Sequence, residues 1–126
     1  MLEDGRFVAM LPTVKTEAAR RFYAETLGLE LVRDDGFGMV FRGEGANLRL
    51  QKVESFTPQR FTALGWEVSD LRAKAKAFAG RGVVFERFEG MEQDADAIWV
   101  PPGSSGGVCW FKDPDGNLLS LNQAGT

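Results

Sequence analysis

At 126 residues with 44% hydrophobic content, the chain is long enough to form one domain, or two small halves sharing a core, without disulfide or metal staples. Its net charge of −3 is spread over 15 basic and 18 acidic residues with no single-sign block, which argues against nucleic acid as a partner, and no apolar run is long enough to cross a bilayer. Histidine is absent, so Ser-His-Asp and Cys-His catalysis and imidazole ligation of a transition metal are excluded.

The first element is an apolar run from Phe7 to Leu11 that reads as a buried strand, after which Thr16 and Glu17 open a helix reaching about Leu27. Ala18, Phe22 and Leu29, with Ala19 and Tyr23 beside them, give this helix one apolar stripe, and Gly28 stops it. Three strands are expected next, at Leu29 to Arg33, Phe37 to Arg42 and Asn47 to Val53. Turns at Asp34-Asp35-Gly36 and Gly43-Glu44-Gly45 separate them.

The same order of signals then recurs. A strand is expected over Arg60 to Val68, a helix start at Ser69-Asp70, a helix over Leu71 to Ala79 and a stop at Gly80-Arg81-Gly82. Strands follow at Val83 to Phe88, Val108 to Lys112 and Leu118 to Gln123, with Asp113-Pro114-Asp115-Gly116 as a β-turn. Each half is β-α-β-β-β, an α+β plan with module one at about 7–53 and module two at about 60–123. Phe41-Arg42 and Asn47-Leu48-Arg49-Leu50-Gln51 parallel Phe111-Lys112 and Asn117 with Leu119-Ser120-Leu121-Asn122. The tract from Gly90 to Gly107 breaks the symmetry: its apolar Ile98-Trp99-Val100 is either a short strand or a loop covering a pocket.

The lone cysteine, Cys109, cannot form an intrachain disulfide, and the N-terminus lacks a basic region followed by an apolar stretch. A soluble, cytoplasmic protein is expected. In an apolar strand with no imidazole partner, Cys109 reads as a buried structural thiol, and Asp113 and Asp115 read as turn residues. Glu67 or Tyr23 could serve as acid or base if buried near a ligand.

Three segments carry a family resemblance. They are Ala18-Ala19-Arg20-Arg21-Phe22-Tyr23 running to Leu27-Gly28-Leu29, Trp66-Glu67-Val68-Ser69-Asp70-Leu71, and Phe111-Lys112-Asp113-Pro114-Asp115-Gly116-Asn117-Leu118-Leu119. In order and spacing the chain resembles the vicinal-oxygen-chelate superfamily of glyoxalase, bleomycin-resistance and extradiol-dioxygenase relatives, from about Phe7 to Gln123. The resemblance implies a single domain, residues 1–126, whose two modules form a curved mixed sheet around a cleft, and assembly as a homodimer. It also implies four metal-ligand positions, which fall here on Val8, Arg49, Ala63 and Ser120. Methyl groups, a guanidinium and one hydroxyl cannot supply the imidazole or carboxylate donors a catalytic divalent ion needs. No metal and no cofactor is therefore expected.

Strand alternation places Leu48 and Leu50 on one face of their strand and Arg49 on the other, and likewise separates Ser120 from Leu119 and Leu121. If the Arg49 face lines a cleft, the guanidinium could receive a carboxylate, a phosphate or an enolate-like oxygen pair. Equally, Arg49 could pair with an Asp or Glu of the protein or reach solvent. Among the tryptophans, Trp66 alternates with Leu64 and Val68 as a core residue, Trp99 is the pocket or lid candidate, and Trp110 lies between. Three functions compete. One is a metal-independent protein that sequesters a planar or anionic small molecule at Val8, Arg49, Ala63, Trp99, Trp110 and Ser120. The second is a metal-independent isomerase or lyase that uses Arg49, Ser120 or Tyr23 on a carbonyl compound. The third is a non-catalytic assembly module.

Overall fold

The structure, a computed structural model, describes residues 1–125. The chain divides into two units, Met1–Thr57 and Pro58–Thr126, with the division falling between the two predicted modules. No helix among the described residues is long and apolar enough to cross a membrane.

In the first unit, β1 (Val8–Thr13), β2 (Leu31–Asp34), β3 (Gly38–Phe41) and β4 (Asn47–Lys52) form one mixed sheet in the order β1-β4-β3-β2. Strand β1 runs parallel to β4, and the other neighbours are antiparallel. Leu11, Met39, Phe41, Leu48 and Leu50 are buried on one face, as the alternation requires. Helix α1 (Thr16–Arg21), whose last turn widens to π geometry over Phe22–Thr26, covers that face, its Tyr23 ring 5.7 Å from that of Phe41. The helix seam is centred one residue away from the predicted stripe: Ala19 and Tyr23 are fully buried, whereas Ala18, Phe22 and Leu29 are only partly so. Two adjacent columns of this helix are apolar, so hydropathy alone does not choose between them. Lys15, not Thr16, occupies the N-cap position, and no side chain caps it. Gly28 ends the helix as predicted, with φ at 79° and the Leu29 N–H donating to the Tyr23 carbonyl at 2.9 Å.

In the second unit, β5 (Leu64–Glu67), β6 (Gly107–Lys112) and β7 (Leu118–Gln123) form a sheet in the order β5-β7-β6. Strand β5 is shorter than the predicted Arg60 to Val68. It pairs only with β7, which begins at Leu118, so residues before Ala63 have no partner strand. Helix α2 (Leu71–Gly80) starts where Asp70 caps it, Oδ1 accepting from the Ala73 N–H at 3.1 Å, and stops before Gly82 at φ 92°. Its Phe78 ring meets Phe111 edge-on at 5.8 Å, over a core of Cys109, Phe111, Leu119 and Leu121.

The predicted strand at Val83 to Phe88 contracts to one bridge, Phe85 to Phe111. The Gln93 side chain accounts for this. Its Nε2 donates to the carbonyls of Glu86 and Ala97, both at 2.9 Å, and its Oε1 accepts from the Phe88 N–H at 2.8 Å, so the segment's backbone bonds to a side chain beyond the bridge. The tract around Trp99 takes the other end of the β6 edge: Trp99 and Val108 exchange two backbone hydrogen bonds of 2.9 and 3.0 Å. Ion pairs from Arg72 on α2 to Asp94 and Asp96 tie the tract to the helix.

The internal repeat extends to the register of the ladders. Phe41 lies opposite Leu48, Val40 opposite Arg49 and Met39 opposite Leu50; likewise Phe111 lies opposite Leu119, Trp110 opposite Ser120 and Cys109 opposite Leu121. Leu31 adjoins Phe41 as Phe85 adjoins Phe111. The chain is therefore an α+β protein of two β-α-β-β-β modules, the second with its second strand reduced to a bridge.

Candidate functional site

Each sheet has one face covered by its helix and one that is not. On the face of the first sheet away from α1 stand Val8 and Met10 of β1, Asn47, Arg49 and Gln51 of β4, and Gly38 and Val40 of β3. Met10 is directly opposite Arg49, so Val8 and Arg49 are diagonal neighbours on parallel strands. Val8 and Met10 are 56% and 58% exposed, which leaves an apolar edge beside the guanidinium.

Arg49 is bound within its own unit. Its Nη1 and Nη2 donate to Asp35 at 2.8 and 3.2 Å, and its Nε donates to Gln51 Oε1 at 3.0 Å. Asp35 also accepts the Phe37 and Gly38 N–H groups at 3.0 and 2.9 Å, which anchors it in the β2–β3 turn. The Arg49 guanidinium, followed by the Phe37 N–H, holds the Asp35 carboxyl well below the usual aspartate range. A lowered folded-state pKa stabilises the protein above the unfolded value of 3.8, and that contribution fades as the pH falls below it. In a carboxyl-detected NMR titration Asp35 stays ionised below pH 3.8, and in Arg49→Ala its midpoint moves up toward that value. An Asp35 midpoint unchanged by the substitution would show that the turn amides alone hold the charge.

The second sheet repeats the geometry with other side chains. Gly65 is directly opposite Ser120, and the Ala63 N–H donates to the Leu118 carbonyl at 2.8 Å, so Ala63 and Ser120 are diagonal neighbours as Val8 and Arg49 are. Trp110 lies opposite Ser120 on the other side, and with Lys112, Val108 and Asn122 it shares the Ser120 face. Trp110 is held by a hydrogen bond from Nε1 to Thr62 Oγ1 at 3.1 Å, by the edge of Phe88 at 5.4 Å and by Trp99 at 6.4 Å. Ser120 is buried under Gly65: a methyl group there would come within 2.6 Å of Ser120 Oγ. Trp66 is on the opposite face, stacked on Phe111 at 6.5 Å.

None of the four positions Val8, Arg49, Ala63 and Ser120 carries a side chain that fits a divalent cation. Val8 and Ala63 have no donor atom, Arg49 is cationic, and Ser120 offers one neutral hydroxyl. Among the described residues no cluster of three or more Cys, Asp, Glu or His side chains is placed to hold a metal ion. Tyr23, weighed as an acid or base, lies fully buried on the helix-covered face, away from Arg49. Cys109 is also fully buried, and desolvation, followed by Asp94 and Asp96, pushes its thiol up to about 12. Asp113 is a turn residue. Clefts of about 190 and 140 Å3 in the second unit lie along α2 and the Trp99 tract.

Sequence reasoning misses Asp35, Gln51, Gly38, Thr62 and Phe88 as partners of the candidate residues. Gln51 is accessible to it, being two residues from Arg49 on the same strand face. Asp35 reads as a turn residue, and its pairing with Arg49 across 14 residues has no local signal.

Solved structures share the fold at low identity. A lactoylglutathione lyase from Agrobacterium tumefaciens is 15% identical with a TM-score of 0.70, covering 98% of this chain and 96% of that one. A glyoxalase/bleomycin resistance protein/dioxygenase from Nocardioides is 18% identical with a TM-score of 0.71, covering 93% and 81%. One with the same description from Alicyclobacillus acidocaldarius is 21% identical with a TM-score of 0.66, covering 96% and 92%. No curated protein matches the chain. The family model described as Glyoxalase/Bleomycin resistance protein/Dioxygenase superfamily matches residues 7–121, spanning both modules and the Val8, Arg49, Ala63 and Ser120 positions, and the chain belongs to that superfamily.

Proposed function

We propose that this protein binds a planar or anionic small molecule without a metal ion, as a sequestering protein similar to the bleomycin-resistance branch of its superfamily. The observation that carries the reading is the group of Phe88, Trp99 and Trp110 on the Ser120 face. Two indoles and a phenyl ring packed against one another and left half-buried or exposed favour stacking with a flat ligand. The exposed Phe7, Val8 and Met10 along β1, an edge strand of its sheet, support assembly as a homodimer. A lone buried cysteine is in keeping with a cytoplasmic protein.

The alternative, a metal-independent isomerase or lyase acting on a carbonyl compound, has less support. Tyr23 is in the core, and the Arg49 forks are engaged by Asp35 and Gln51.

Titration with planar heteroaromatic compounds quenches the fluorescence of Trp99 and Trp110 and leaves the Trp66 contribution in place, as single-tryptophan variants resolve. Trp110→Ala weakens binding by about two- to tenfold, the range of one aromatic pair, and EDTA leaves the affinity unchanged. A panel of planar compounds that quenches none of the three tryptophans, or binding that requires an added divalent ion, would overturn the reading.

A further inference from the structure

We infer that Arg49 recognises a neutral, planar π-system through the face of its guanidinium, and that it is not an anion-binding fork. This rests on the reading that the protein binds a planar small molecule, and it assigns a contact on the first unit to such a molecule.

A guanidinium has five N–H donors in one plane, and carboxylates are captured where two of them point in parallel. The end of Arg49 formed by Nη1 and Nη2 is occupied by Asp35, and the side formed by Nε and Nη2 has its Nε donated to Gln51. The in-plane positions that give bidentate recognition are therefore filled by the protein. Only single N–H groups remain for an incoming oxyanion, and the Asp35 carboxylate offsets the positive charge that would attract one.

The faces of the group are a different matter. A methyl group on Gly38 would lie 2.9 Å from both Cζ and Nη2 of Arg49. With both in-plane edges occupied, an approach equally close to Cζ and Nη2 comes from above the plane. One face of the guanidinium therefore rests on the bare Cα of Gly38, on the neighbouring strand, and the opposite face is turned away from the sheet. The side chain keeps 19% exposure while its three polar contacts hold it flat. Exposed Val8 and Met10 flank it on β1. A fixed, planar cation beside an apolar strip suits stacking against an aromatic ring, and its rigidity lowers the entropy lost on binding.

Two probes test this: phenazine, which is neutral and flat, and inorganic phosphate. The Arg49 Nε–Hε cross-peak in a 1H–15N spectrum is the reporter, because a ring above the guanidinium shifts it upfield. Phenazine is expected to shift the peak, and phosphate to leave it in place. Asp35→Asn, which opens the Nη fork, is expected to weaken phenazine binding by about three- to tenfold and to gain a phosphate response. Arg49→Lys, which keeps the charge and loses the plane, is expected to weaken phenazine binding to the same extent. A wild-type peak that moves with phosphate, or stays still at saturating phenazine, overturns the inference even if the variants fail to fold. Quenching of Trp99 and Trp110 by phenazine with no shift at Arg49 overturns this inference alone. A shift at Arg49 without quenching overturns only the tryptophan reading, and neither signal overturns both.

Discussion

Replacing Phe111 with alanine lowers the unfolding free energy by about 3–5 kcal/mol in urea denaturation, the range for a large aromatic removed from a closed core. Phe111 has no exposed surface and is the hub of its unit: Trp66 stacks on it at 6.5 Å, and Phe78 and Phe85 meet it edge-on at 5.8 Å each. Each ring pair contributes about 0.5–1.5 kcal/mol beyond the area it buries, so truncation removes several favourable terms together and leaves a cavity walled by rigid rings. Phe41 is the equivalent residue of the first unit and is equally buried, with Tyr23 as its ring neighbour at 5.7 Å. Phe41→Ala is accordingly expected to destabilise less than Phe111→Ala. A reversed order would show that ring contacts are not what distinguishes the two cores.

The second large effect is expected at Asp113. Its Oδ1 accepts from the backbone N–H groups of Asp115 and Asn117, both at 2.9 Å, and its Oδ2 accepts from Asn117 Nδ2 at 2.9 Å. Asp113 and Asn117 are buried, so Asp113→Ala strands donors that water reaches poorly, at a cost of about 2–4 kcal/mol. The same turn sets the β6–β7 pairing that places Trp110 opposite Ser120. The near-ultraviolet circular dichroism of Trp110 should therefore weaken along with stability. Asp113→Asn retains one acceptor but turns an amide toward Asn117 Nδ2, and is expected to fall between wild type and the alanine variant. An Asp113→Ala variant as stable as wild type would show that the backbone alone determines this turn.

What can be read from the sequence follows how local each interaction is. Gly28 and Gly82 mark helix ends because their positive φ is a property of one residue. The faces of Leu48, Leu50, Leu119 and Leu121 follow from period-two alternation, and all four are buried. The pairing of Phe41 with Leu48 and of Phe111 with Leu119 is foreshadowed by the side-by-side comparison of the halves, since equal spacing in equal modules gives equal register. Other features rest on non-local competition. The Val83 to Phe88 segment has strand composition, but the Gln93 side chain takes up its own backbone groups and Trp99 occupies the β6 edge at Val108. Alternation places Arg49 on the correct face, yet its charge partner sits in a turn whose residues read as chain reversal alone. Of the two alternatives open for Arg49, an external anion or an acidic partner within the protein, the structure shows the second, with Asp35.

The Trp99 tract has one more consequence, for solubility. Val108, Cys109, Trp110 and Phe111 form an apolar run without proline or charge, in a strand that would otherwise present an open row of amides and carbonyls to any passing chain. Trp99 closes the edge at Val108 and Phe85 closes it at Phe111, and the ion pairs from Arg72 keep the cover in place. The Trp99 tract and Phe85 therefore cover the β6 edge at two points where its backbone would otherwise be open to pairing with another chain.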